Sequence, residues 1–290
     1  RSAGGSSSGA AASVADCMVP LAIGTQTTGS TIKPGSFCGV FAYRPTFGEL
    51  RLSGVMESAA SCDTLGLYAR TIDDIALYRD VLAGADPEPV ADDVPAPRIG
   101  FCRTPQWSRL EPSTQQILED AARRLARAGA KVADAILPVE FEGAEEAHRM
   151  VSCREFALNF TQEIEQHWGE LSAALRNGKI KTGLECNFER YQAAQELAQR
   201  CRRGLAAVFA DHDVLLAPAA VGEAPVGMNT GDSSLCSSWT LMHVPTMSIP
   251  VFRGPHGLPV GAQVIAARND DRKLFAAARW IYRHLGQGGA

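Results

Sequence analysis

The sequence lacks the marks of several large protein classes. No run of about 18 apolar residues occurs, and the amino terminus is small and polar rather than basic and then hydrophobic. Neither a membrane-spanning helix nor a secretory leader is expected, which makes the cytoplasm the default location. The eight cysteines (17, 38, 62, 102, 153, 186, 201 and 236) include no C-x-x-C pair. In a chain of this size they read as reduced, mostly buried thiols, not a disulfide framework. The six histidines (148, 167, 212, 243, 256 and 284) stand far apart, so no metal site is expected. Positive charge is not in excess: 28 Lys and Arg face 32 Asp and Glu. There is no basic stripe of the kind that nucleic acid or an anionic membrane would need.

What is present is a core-forming chain of 290 residues, 46% of them hydrophobic. It opens Arg1-Ser2-Ala3 without a methionine and is expected to continue a longer protein, of which it forms the carboxy-terminal two thirds or so. Ala10–Cys17 is a small-residue stretch suited to a closely packed helix. Val19–Thr25 is an apolar run that ends in a Gly/Thr/Ser loop. Val40–Tyr43 reads as a short strand, and Thr71-Ile72-Asp73-Asp74 has the form of a capping box ahead of a helix to about Leu82. Further on, strands are expected near Arg98–Cys102, Lys131–Leu137, Val214–Leu216, Thr246–Val251 and Val260–Ala266. Helices are expected near 113–128, 144–175, 188–210 and 271–284, and Ala91–Pro97 is linker-like. Strands interleaved with helices predict an α/β fold, a mixed twisted sheet flanked by helices, in a single domain spanning 1–290.

Two serine- and glycine-rich segments carry the chemistry. The first, Gly4-Gly5-Ser6-Ser7-Ser8-Gly9, reads alone as a flexible linker. It also fits G-x-S-x-G, a nucleophile elbow on Ser7, which would call on a late histidine such as His243 or His256. That motif needs a strand immediately before it, and none is apparent. The second, Gly24-Thr25-Gln26-Thr27-Thr28-Gly29-Ser30-Thr31-Ile32-Lys33-Pro34, approaches a phosphate loop but has Ser30 where the lysine belongs. A plain polar connection after a strand is the bland alternative.

Taken together, the two segments resemble the amidase signature family. The resemblance rests on Gly4-Gly5-Ser6-Ser7, Gly24-Thr25, Gly29-Ser30, Pro34 and Phe37-Cys38-Gly39-Val40, and on the interval from Ser6 to Ser30. It continues through Arg44-Pro45-Thr46-Phe47-Gly48, Asp63-Thr64-Leu65-Gly66, Ala69-Arg70-Thr71, Asp213–Pro218, Trp239-Thr240, His243-Val244-Pro245 and Gly257–Gln263. Residues 90–210 are less diagnostic. The chain departs from the pattern at Gln26, where many relatives carry Asp, at Thr28, where they carry Gly, and at Ile32, where they carry Arg. These departures bear on loop geometry and subfamily.

The resemblance implies a Ser–Ser–Lys triad, with Ser30 as nucleophile and Ser6, after a cis peptide, as the bridging serine. A serine hydroxyl needs a base, which a lysine held neutral by burial supplies. In the family that lysine lies upstream of the serine-rich motif. Lysines 33, 131, 179, 181 and 273 are therefore assigned no catalytic part, and Lys33 is read as a loop cation. The N–H groups of Thr27, Thr28, Gly29 and Ser30 are expected to form the oxyanion hole, with Gly29 letting the backbone approach a substrate. The implied reaction is hydrolysis of a small-molecule amide through an acyl-enzyme, with no metal or organic cofactor. A homodimer is left open. Two alternatives stand beside it: the A-type subunit of a tRNA-dependent glutamine amidotransferase, and a non-catalytic fragment without its lysine.

Overall fold

The computed structural model describes residues 1–286. Eight strands form one sheet: β1 (Leu21–Gln26), β2 (Phe41–Arg44), β3 (Thr64–Ala69), β4 (Arg98–Phe101), β5 (Lys131–Asp134), β6 (Val214–Pro218), β7 (Thr246–Arg253) and β8 (Pro259–Ile265). Their order is β1-β3-β2-β7-β8-β6-β4-β5. The pairs are antiparallel except β4 with β5 and β4 with β6, so the sheet is mixed, as the alternation of elements predicts.

The first helices are α1 (Ser8–Ala15), α2 (Ile32–Cys38), α3 (Ile72–Ala83), α4 (Pro112–Arg127) and α5 (Ala144–Asn159). The short α6 (Thr161–Gln166), α7 (Ala173–Leu175) and α8 (Lys181–Glu185) lead to α9 (Phe188–Asp211), α10 (Ser234–Leu241) and α11 (Asp271–Leu285). A single π-helical turn, Arg176–Ile180, joins α7 to α8.

Alternate residues of the central strands feed two different cores, which is the two-residue period of a strand at work. Val214 and Leu216 of β6 join Ile75, Leu118, Leu125, Phe275 and Ile281, from α3, α4 and α11. Leu215 and Ala217 join Met150, Val151, Ala198, Leu205 and Trp239, from α5, α9 and α10. Truncating a side chain such as Leu215 to alanine costs about 2–5 kcal/mol, because a cavity is left between sheet and helix. Thr71 caps α3 by accepting from the N–H of Asp74 at 3.0 Å, as its capping-box form predicts.

Several elements differ from expectation, α2 and α10 among them, since no helix is predicted at either position. The helix predicted over 144–175 ends at Asn159, where Thr161 Oγ1 turns back to donate to the carbonyls of Leu158 and Ala157 at 2.7 and 3.3 Å. A hydroxyl bonded this way competes with the helical ladder. The strand predicted over 131–137 stops at Asp134. A further strand, β3, sits between β1 and β2 and has no counterpart among the expected elements.

For the site, the edge strand β1 matters most. It pairs only with β3 and runs directly into the Thr27–Ser30 loop and then α2. Gly66 of β3 leaves the space that Thr31 occupies, since a Cβ there would come within 1.9 Å of Thr31 Oγ1.

Candidate active site

The Thr27–Ser30 loop is fastened through all four of its carbonyls. Thr27 O accepts from His148 Nε2 at 2.8 Å, and Thr28 O accepts from Thr240 Oγ1 at 2.8 Å. Gly29 O accepts from the N–H of Lys33 at 3.1 Å, and Ser30 O accepts from Tyr68 Oη at 3.0 Å. Among the described residues, none of the four N–H groups of Thr27, Thr28, Gly29 and Ser30 donates to another protein group. Every backbone carbonyl of the loop is spent and every backbone N–H is free.

Gln26 spans the loop from its far side. Its Oε1 accepts from the N–H groups of Thr31 and Ile32 at 2.9 and 3.1 Å, and its Nε2 donates to Thr240 Oγ1 at 3.0 Å. The side chain is 1% exposed, so these bonds are protected from water. Thr27 Oγ1 donates to Asp63 Oδ1, while Asp63 Oδ2 accepts from the N–H groups of Ser58 and Ala59 at 2.6 and 3.0 Å. His148 faces a carbonyl, which only accepts, so its Nε2 carries the hydrogen. Burial pushes its pKa down to about 4, keeping the ring neutral in that role.

Ser30 itself is half-buried at the end of this loop. Gly29 also makes room for the start of α10, since a Cβ on it would meet Cys236 Cβ at 2.9 Å and Ser233 Cβ at 3.0 Å.

The Gly5–Ser6 peptide bond is cis, and Ser6 is exposed. Its neighbour Ser7 is tied to the strand that leads to Ser30: Ser7 Oγ donates to Thr25 O at 3.2 Å and accepts from the Thr25 N–H at 3.1 Å. The two serine segments thus meet side by side at the end of β1. This geometry speaks against the elbow reading. Among the described residues no strand stands immediately before Ser7, which precedes α1, and its hydroxyl is bonded to the backbone of Thr25. His243 stacks on Phe47 with centroids 4.0 Å apart, its Nε2 lying 2.8 Å from the Ser61 carbonyl. His256 pairs with Glu223 at 2.7 Å. Neither histidine is bonded to Ser7.

Lys33 is not the loop cation expected. It lies within α2, is 3% exposed, and donates from Nζ to Gly231 O at 2.7 Å. Burial under the 229–233 segment lowers its pKa, an effect partly offset by Cys236 and Asp232. Lys179 donates to Ser58 Oγ at 2.7 Å and sits 4.3 Å from the centroid of the Phe156 ring. Lys181 pairs with Glu185 and Lys273 with Asp270, each within its own stretch of helix.

Beside the loop lies a cavity of about 250 Å³, lined among others by Thr28, His148, Arg149, Ser152, Lys179 and Asp232. Of the groups that hold and line this region, the sequence marks the loop, Asp63 and Thr240 through the stretches that resemble the family, and Gln26 as a departure from its pattern. His148 and Lys179 carry no signal of their own in the sequence. Among the described residues no three His, Cys, Asp or Glu side chains converge as metal ligands would, and no helix is long and apolar enough to cross a membrane.

Comparison with known proteins finds relatives that match nearly the whole chain. The chain is 30% identical to 2-amino-5-chloromuconic acid deaminase of Comamonas testosteroni, over 100% of this chain and 66% of that protein. It is 26% identical to a glutamyl-tRNA(Gln) amidotransferase A-type subunit of Clostridium acetobutylicum, over 96% of this chain and 68% of that one. A solved amidase superposes with a TM-score of 0.90 at 27% identity, covering 98% of this chain and 67% of its own. The chain therefore spans about two thirds of the length of these relatives. The family model for Amidase matches residues 1–275, and the chain belongs to the Amidase family, the amidase signature enzymes.

Proposed function

We propose that this chain carries the nucleophile and oxyanion loop of an amide hydrolase, with Ser30 attacking the carbonyl of a small-molecule amide. The observation that carries this reading is the asymmetry of Thr27–Ser30, in which four carbonyls are spent and four N–H groups are free. Donors fixed before the reaction stabilise a developing oxyanion without reorganising at the moment of attack. In this reading Ser30 Oγ forms the bond to the carbonyl carbon as its proton passes to Ser6 Oγ and on to a neutral lysine. The tetrahedral intermediate collapses and expels the amine, which takes the proton back through Ser6. Water then attacks the ester on Ser30 by the same route, releasing the acid and restoring the serine.

None of lysines 33, 179, 181 and 273 is directed at Ser6: their ammonium groups are bonded to Gly231, Ser58, Glu185 and Asp270. The reading takes its base from a lysine outside residues 1–290. A second reading is favoured by the likeness to A-type subunits of amidotransferases. There the same serine would release ammonia from glutamine for a partner protein, and a partner that co-purifies stoichiometrically would establish it.

The test is amide hydrolysis by a version extended at its amino terminus, with and without Ser30→Ala. Substitution is expected to lower turnover by about 10⁴-fold or more with the fold intact. Full turnover in Ser30→Ala would overturn the reading.

A further inference from the structure

We infer that the cavity beside the Thr27–Ser30 loop takes an acyl group ending in a carboxylate, and that Lys179 is the residue that recognises it. The argument starts from the charges on the cavity wall. Arg149 is paired with Glu146, at 2.7 Å through both Nε and Nη2. Glu145 is bonded to Arg109 at 2.8 Å and to Gln106 at 3.1 Å. Asp232 accepts from the N–H of Ser234 at 2.8 Å and has Lys33 as its charged neighbour.

Lys179 is different. Among the described residues no carboxylate lies within ion-pair distance of its Nζ, which spends one of its three donors on Ser58 Oγ. Asp63, the carboxylate whose charge reaches it, is occupied by Thr27, Ser58 and Ala59. The residue is half-buried, and its ammonium lies over the Phe156 ring, 4.3 Å from the centroid. The ring compensates the charge of this half-buried cation only in part, and an anionic ligand would compensate it further. Burial lowers its pKa accordingly.

Two features place this cation where a substrate's far end would reach. Thr28, whose N–H is one of the free donors, lines the same cavity as Lys179. Lys179 is also carried on the π-helical turn Arg176–Ile180, a distortion that re-aims a side chain and recurs at functional sites. Ser152 and Ser237 add hydroxyls to the wall between, which suits a polar acyl chain better than an aliphatic one. The inference rests on the Ser30 reading only for the orientation of the ligand, with its amide at the loop and its carboxylate at Lys179.

The test is direct binding, which needs no turnover. Calorimetry on the 290-residue chain compares three amides of equal length: glutaramate, neutral pentanamide, and the corresponding ω-amino amide. Glutaramate is expected to bind about 10- to 100-fold more tightly than pentanamide, the range for a hydrogen bond to a charged group. Lys179→Met is expected to abolish that preference while leaving pentanamide affinity and thermal stability unchanged, and Lys179→Arg to retain part of it. Equal affinity for the three amides, tighter binding of the cationic one, no binding of any, or a preference that survives Lys179→Met would each overturn the inference. Failure of Ser30 to acylate, alongside an intact preference for glutaramate, would sink the nucleophile reading and leave this one standing.

Discussion

The two serine segments of this site are built in opposite ways. The Thr27–Ser30 loop is held from four directions, by Gln26, His148, Thr240 and Tyr68, and its bracing groups are buried. The Gly4–Ser8 segment is pinned mainly through Ser7 to Thr25, and leaves Ser6 exposed with no protein partner among the described residues. Rigidity is concentrated where charge would develop, and the group that would pass a proton is left free to bond elsewhere. Substitutions in the two segments are therefore expected to separate activity from stability.

The largest effect that sharpens this contrast belongs to Ser6→Ala. Turnover of an extended version is expected to fall by about 10²–10⁴-fold, the contribution of a positioned proton relay, with an unchanged thermal midpoint. Stability lost in proportion to activity would show that Ser6 is a structural residue. Gln26→Ala should do the reverse. It strands two buried N–H groups and removes one of the two bonds of the Thr240 hydroxyl, costing about 2–4 kcal/mol in a denaturant titration. A neutral result there would mean that the loop does not depend on its brace.

A pH titration probes the same brace. His148 has its folded pKa near 4, below an unfolded value of about 6.5, so the unfolded chain binds its proton first as pH falls. The histidine's contribution is fully present above about pH 6.5. It is lost at about 1.4 kcal/mol per pH unit between there and pH 4. His243, held near 3 by burial and by Arg202, adds a similar slope. Unfolding free energy is expected to fall less steeply with acid in His148→Gln than in the wild type, and parallel curves would contradict the assignment. The smallest effect is that of His256→Ala. Its imidazole is largely exposed against Glu223, and both stability and turnover should stay within measurement error. A large loss of activity would revive a histidine-based mechanism.

The sequence makes legible what is local and periodic. The amphipathic α4 and α11, the capped α3 and the apolar runs of β6, β7 and β8 follow from spacing alone. It does not reveal β3, because Thr64–Ala69 is buried on both faces and has no alternation, while Gly66 reads as a loop residue. Nor does it reveal α10, a serine-rich helix buried all round and so lacking a polar face. At the site, Ser6 and Ser30 stand out because their motifs are contiguous. The contacts that fasten them do not: Thr240 falls in a matching stretch and His148 in none, and they reach the loop from 212 and 121 residues away. The burial of Lys33 is hidden for the same reason, as the segment that covers it lies near residue 231.

The central claim is that Ser30 is the nucleophile. Its most direct test is labelling of the chain, and of a version extended at its amino terminus, with a serine-reactive fluorophosphonate, followed by peptide mapping of the adduct. The account predicts a single adduct on Ser30 in the extended version, absent from Ser30→Ala. An adduct on Ser7, or undiminished labelling of Ser30→Ala, would contradict it.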